Sequence, residues 1–154
     1  MVSNENSYGT LGSEIQSVKD YLSLKASEGK EKFSYDFNVD PQADIHIQVP
    51  GALIKSFVEN TFLNNASQQA EGGKIDISIH RTTLGILIMI TDNAMLRYQE
   101  YNRGRIIGNR LELLDQDIFE FNKKQECSVN YQLLDLAYTE PGQIGSRVLI
   151  TIVI

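Results

Sequence analysis

The sequence predicts an α+β fold: a two-layer α/β sandwich in which three helices cover one face of about five mostly antiparallel strands. Helix-period and strand-period apolar patterns succeed one another in the order helix, strand, helix, strand, strand, loop, helix, strand, strand. Two of the strand pairs are joined by short turn-forming segments, which favour antiparallel neighbours. At 154 residues, 42% hydrophobic and 22% charged, the chain has the length and composition of one domain with a buried core.

Residues 1–12 are polar and glycine-containing and read as a flexible leader, leaving 13–154 as the domain. Ser13 opens the first helix: S-E-I-Q sets Gln16 three residues after the hydroxyl, as in a capping box, and Ile15, Val18 and Leu22 recur at helical spacing. Gly29 is its stop. In F-S-Y-D-F-N-V-D, Phe33, Tyr35, Phe37 and Val39 alternate with polar residues, the period of a half-buried strand, which Pro41 ends.

After the extended piece I-H-I-Q-V-P, a second helix is expected from about Pro50, a residue suited to a first helical turn. Ile54, Phe57, Val58, Thr61 and Phe62 form its inward stripe, with Lys55, Glu59, Asn60 and Asn64 on other faces. The loop S-Q-Q-A-E-G-G leads to the strands K-I-D-I-S-I-H-R and L-G-I-L-I-M-I-T-D, joined by a tight turn near Thr82 to Gly85. Residues 93–107 are polar, arginine-bearing and aperiodic, hence loop. L-E-L-L-D-Q-D-I-F-E-F offers the third helix, and V-N-Y-Q-L-L-D-L-A and R-V-L-I-T-I-V-I, separated by T-E-P-G-Q-I-G, supply the last strands.

A net charge of -6 argues against a nucleic-acid partner, because capture of a phosphate backbone needs a basic field. The single cysteine, Cys127, has no partner for an internal disulfide, which suits reducing cytosol. The first residues lack the basic and apolar regions of a signal peptide, and no apolar run approaches the roughly 18 residues of a membrane span. His46 and His80 are expected to be partly exposed strand histidines, and Glu14, Asp20, Tyr98 and Tyr101 surface and packing residues. Asp92 is harder to place: a carboxylate at the mouth of a buried strand is costly unless a donor or a ligand pairs with it.

Three polar features fall into line: F-V-E-N on the second helix, T-D-N at a strand end, and I-I-G-N-R-L before the last helix. With V-P-G-A-L-I-K-S-F-V-E-N-T-F-L-N-N-A, the preceding helix E-I-Q-S-V-K-D-Y-L-S-L, E-G-G-K-I-D-I-S-I and the terminal G-S-R-V-L-I-T-I, the chain resembles the ATP-binding, catalytic domain of a sensor histidine kinase. That domain belongs to the GHKL superfamily, with a Bergerat-type fold. The similarity covers roughly residues 11 to 154, and it is nearest to the branch whose asparagine box reads P-L-V-E-N-A-I-K-H-G.

The resemblance implies ATP and Mg2+ as cofactors. Asn60 would hold the magnesium ion, a job suited to a neutral oxygen ligand. Glu59, the implied catalytic residue, would orient a water or the outer shell of the metal, and Asp92 would accept from the adenine amino group. Asn64, Asn93, Gly108, Arg110 and Leu111 fall among the implied nucleotide-binding positions, with 93–107 as the lid. The parent would be a dimeric two-component kinase, with this part cytosolic and any membrane attachment elsewhere in the parent. It would pass the γ-phosphoryl group to a histidine in a dimerisation domain outside this chain, and then to a response regulator.

The glycine boxes depart from the pattern. D-N-A-M-L puts Ala94 and Leu96 where D-x-G-x-G has glycines, and G-N-R-L puts Arg110 in place of the second glycine of G-x-G-L. The asparagine box ends N-N-A instead of K-H-G, with Asn64 and Asn65 where basic side chains are usual. A backbone nest for phosphate depends on those features. Arg97, Arg103, Arg105 and Arg110 either replace the nest with guanidinium forks or form a solvated basic loop. An alternative reading is therefore a pseudokinase-like relay module with weak or no ATP binding. An anti-sigma-factor kinase acting on a protein serine shares the fold but fits the first helix less well.

Overall fold

The computed structural model describes residues 8–28, 34–64, 73–93, 108–125, 127–136, 140, 142 and 145–154. Within them the elements run β1 (Tyr8–Thr10), α1 (Leu11–Ser27), β2 (Ser34–Val39), β3 (Gln48–Pro50), α2 (Leu53–Asn64), β4 (Lys74–Arg81), β5 (Gly85–Asp92), α3 (Gly108–Lys124), β6 (Ser128–Asp135) and β7 (Ser146–Val153). A five-stranded sheet has the order β2-β4-β5-β7-β6, with β2 parallel to β4 and the other neighbours antiparallel. The expected α+β sandwich is what forms.

Alternation decides which face is covered. Ile77 and Ile79 of β4 stand opposite Ile90 and Ile88 of β5, with Ile75 opposite Asp92, and Val148, Ile150 and Ile152 of β7, opposite Ile90, Ile88 and Ile86, continue the same face. Onto it pack Leu11, Ile15, Val18 and Leu22 of α1, Leu53, Ile54, Phe57 and Val58 of α2, and Leu114, Ile118 and Phe121 of α3, in one core. Each such side chain contributes about 1.5–3 kcal/mol by leaving water. The β4–β5 turn lies where the sequence puts it, with Thr82 N–H donating to the Gly85 carbonyl at 2.8 Å and Gly85 N–H to Thr82 Oγ1 at 3.0 Å.

Several boundaries differ from the sequence reading. Residues 8–12, read as leader, form β1 and the start of α1. The N-cap is Thr10, whose hydroxyl oxygen accepts from Ser13 N–H at 3.1 Å, so Ser13 is the third helical residue instead of the cap. β1 pairs with β3, Tyr8 opposite Pro50, in a small second sheet. Pro50 therefore ends a strand, and α2 starts at Leu53. The third helix begins at Gly108, so G-N-R-L is its first turn and not the segment before it. His80 is in β4 as expected, whereas His46 lies in the turn between β2 and β3. Residues 1–7, Gly29, Phe33, most of the loop before β4, 94–107 and the side chain of Phe62 lie outside the described residues. Among the described residues no helix is long and apolar enough to cross a membrane.

Candidate functional site

Asp92 closes β5 on the helix-covered face, in the same parity as Ile86, Ile88 and Ile90, and is 3% exposed. The register explains how a carboxylate is tolerated there. Ser146, also buried, faces Asp92 across the β5–β7 pair and donates its hydroxyl to Asp92 Oδ2. Such a charge-assisted bond offsets part of the cost of taking the carboxylate out of water. Next to it, Arg147 braces the two strands, its Nε donating to Thr91 Oγ1 at 3.0 Å and its Nη1 reaching Glu140 Oε2 at 2.9 Å.

Gly145 admits this arrangement. Its φ of +120° is outside the range L side chains favour, and a Cβ there would collide with the Asp92 carbonyl oxygen. Neither Gly145 nor Ser146 was singled out in the sequence reading. The G-S preceding the last strand was the available signal, but only strand register makes it a neighbour of Asp92.

The helix α2 brings up the second part of the site, packing over β5 with Glu59 half-buried and Asn60 9% exposed. Asn60 is thus not on an outer face, as helical period alone suggested. The buried arc of α2 is wider than an apolar stripe and includes Ser56 and Asn60 as well as Thr61. A neutral amide on α2 and a carboxylate at the end of β5 are therefore both buried.

Asn93, one residue past Asp92, is engaged by the backbone. Its Oδ1 accepts from Lys74 N–H at 2.9 Å and its own N–H donates to the Lys74 carbonyl at 3.3 Å, pinning the start of β4. Asn64 ends α2, and Gly108, Arg110 and Leu111 make the first turn of α3, but the side chains of these positions lie outside the described residues, as do Ala94, Leu96, Arg97, Arg103 and Arg105.

The α2 helix has an unusual start. Ala52 precedes it with φ +60°, and its carbonyl accepts from Ser56 N–H at 2.9 Å, which makes Ala52 the N-cap. Alanine has no side-chain acceptor for the open N–H groups of the first turn. Glu14 of α1 supplies them: Oε1 accepts from Ala52 N–H at 3.1 Å and Oε2 from Lys55 N–H at 2.8 Å. Grouped in the sequence reading with surface and packing residues, Glu14 is 7% exposed, hence not at the surface, and burial pushes its carboxyl above the ordinary value of 4.5 despite these bonds.

Other chemistry among the described residues is sparse. Cys127 is half-buried and burial pushes its thiol up, away from thiolate reactivity. Among the described residues no group of three His, Cys, Asp or Glu side chains is disposed to hold a metal. A magnesium ion here would rely on an amide such as that of Asn60 and on ligand oxygens, a donor set in keeping with a hard cation.

No protein-family model matches the chain. Over 84 residues, 54% of the chain, it is 26% identical to the sensor protein LytS of Staphylococcus haemolyticus. Over 85 residues, again 54% of the chain, it is 32% identical to the sensor histidine kinase/phosphatase LytS of Staphylococcus aureus. Each match spans 14% of the length of that relative. Among solved structures, the catalytic domain of histidine kinase ThkA superposes with a TM-score of 0.56 at 13% identity, covering 95% of this chain and 92% of that one. The histidine kinase domain of the Erythrobacter litoralis blue-light activated histidine kinase gives 0.59 at 12% identity, covering 99% and 69%. ThkA in complex with the response regulator TrrA gives 0.56 at 13% identity, covering 95% and 40%. This chain therefore has the fold of the histidine kinase catalytic domain and resembles sensor histidine kinases in sequence over about half its length.

Proposed function

We propose that this chain is the nucleotide-binding, catalytic part of a cytosolic two-component sensor histidine kinase, supplying the γ-phosphoryl of ATP to a histidine outside it. The observation that carries the reading is the buried Asp92, held by Ser146 at the end of β5, the strand that contacts the helix bearing Glu59 and Asn60. A carboxylate can accept several hydrogen bonds, so Asp92 would accept from an exocyclic amine, and losing such a partner from a buried site costs more than losing it from water. Asn60 would serve magnesium and Glu59 the water or outer shell around it. Bound magnesium would neutralise phosphate charge, while the chain positions the base and the metal.

The partners proposed are a dimerisation and phosphoacceptor domain and a response regulator. The ThkA complex with TrrA supports the second by analogy of fold. Titrating the 154-residue chain with ATP, with and without magnesium, tests the reading. Binding strengthened by magnesium is expected. Asp92→Asn should weaken ATP binding by about 10- to 100-fold, the worth of a hydrogen bond to a charged group. Asn60→Ala should abolish most of the magnesium dependence. No binding at millimolar ATP would reject the assignment and leave the relay-module reading.

A further inference from the structure

We infer that Glu14 is a positioning residue for this site: its carboxylate, carried on α1, seats the N-terminus of α2 and so sets where Glu59 and Asn60 stand. The inference rests on the reading of Glu59 and Asn60 as site residues. The segment P-G-A-L-I-K-S-F offers no Ser, Thr, Asp or Asn to cap α2 before Ser56, and the first turn of α2 holds no acidic residue. Both the acceptor for the open N–H groups and the negative charge at the positive end of the helix come from Glu14, 38 residues from Ala52 and 41 from Lys55 in sequence. Ala52 also sits at φ +60°, a conformation that a non-glycine residue holds only when its surroundings fix it, and its N–H is one of the two that Glu14 takes.

Glu14 itself stands on a fixed base. Thr10 caps α1, Leu11 N–H donates to the Ile47 carbonyl at 2.9 Å, and Gly12 N–H donates to the Ile45 carbonyl at 2.7 Å. The start of α1 is thereby tied to the segment that leads into α2, and the β1–β3 pairing continues the tie as far as Pro50. From Lys55 to Asn60 is five residues, about 7.5 Å along a helix axis. A tilt of about 10° at the capped end would shift the Asn60 amide by about 1 Å, a displacement that can cost about 100-fold where ligand geometry matters.

The test compares Glu14→Ala and Glu14→Gln with the wild-type chain, using thermal unfolding, the side-chain amide resonance of Asn60 without nucleotide, and ATP affinity with magnesium. Asn122→Ala, which weakens a contact between α3 and β6, is the control for general destabilisation. Expected are a displaced Asn60 resonance and an affinity loss of about tenfold in Glu14→Ala, within the usual range of coupling between sites. Glu14→Gln, which keeps one acceptor oxygen, should fall between. Asn122→Ala should melt earlier but keep the Asn60 resonance and the affinity. A folded Glu14→Ala with both readouts at wild-type values overturns the inference. Should Glu14→Ala not fold, the same readouts on Glu14→Gln decide, unchanged values again counting against it. If the wild-type chain binds no ATP, the proposed function falls, and the Asn60 resonance still decides whether Glu14 seats α2.

Discussion

Ser146 donates a hydrogen bond to the Asp92 carboxylate from the facing position on β7, 54 residues along the chain. Both are buried, so the bond is made where water does not replace it. Ser146→Ala is expected to destabilise the fold by about 1–3 kcal/mol, the cost of leaving a buried polar group one partner short. Urea unfolding measures this, and a Ser146→Ala chain as stable as wild type would show that the Asp92 seat does not depend on the hydroxyl.

Gly145 and Gly142 lie in the same connection but in different surroundings. Gly145→Ala drives a Cβ into the Asp92 carbonyl, whereas a Cβ at Gly142, φ +86°, meets nothing within 4 Å. Gly142→Ala should cost about 1 kcal/mol for its backbone conformation, and Gly145→Ala at least about 3 kcal/mol. Denaturation midpoints of the two variants give the comparison directly; equal losses would contradict the packing described.

Glu14 gives the chain a specific pH response. Its folded-state carboxyl is raised above the ordinary 4.5 by burial, so between that value and the raised one the folded chain holds a proton that the unfolded chain releases. Stability therefore rises as pH falls through this window and is lowest, on this account, on its alkaline side. Relative to Glu14→Gln, which does not titrate, the wild type should gain stability from neutral pH down towards 4.5. Parallel stability profiles for the two proteins would exclude that contribution.

Asn122 fastens α3 to the edge of the sheet, its Nδ2 donating to the Val129 carbonyl at 3.0 Å and its Oδ1 accepting from Val129 N–H at 2.8 Å. Asn122→Ala removes both bonds and should cost about 2 kcal/mol. Faster amide exchange is expected at Val129. Unaltered exchange there would mean that β6 holds its place without the helix.

What could be read in advance follows from what is local. The alternation of isoleucines in K-I-D-I-S-I-H-R and G-I-L-I-M-I-T-D fixed both strands and their covered face, and Thr82 to Gly85 fixed their turn. The N-terminus of α2 was misplaced because proline at a first helical turn is a local preference, and here β1 claimed Pro50 for a strand. The capping role of Glu14 is not legible in the sequence because its partners, Ala52 and Lys55, are distant along the chain, and no helical period reveals an acceptor borrowed from another helix.

The sequence by itself determined the α+β architecture, the strands β4, β5 and β7, and the placing of Asp92 at a strand end, since periodicity and turn chemistry act over a few residues. Only the tertiary structure decided that Asp92 answers to Ser146, that Gly145 must lack a side chain, and that α2 begins on a carboxylate from α1. Each of those depends on strand register or helix contact, which bring together groups that the chain keeps far apart.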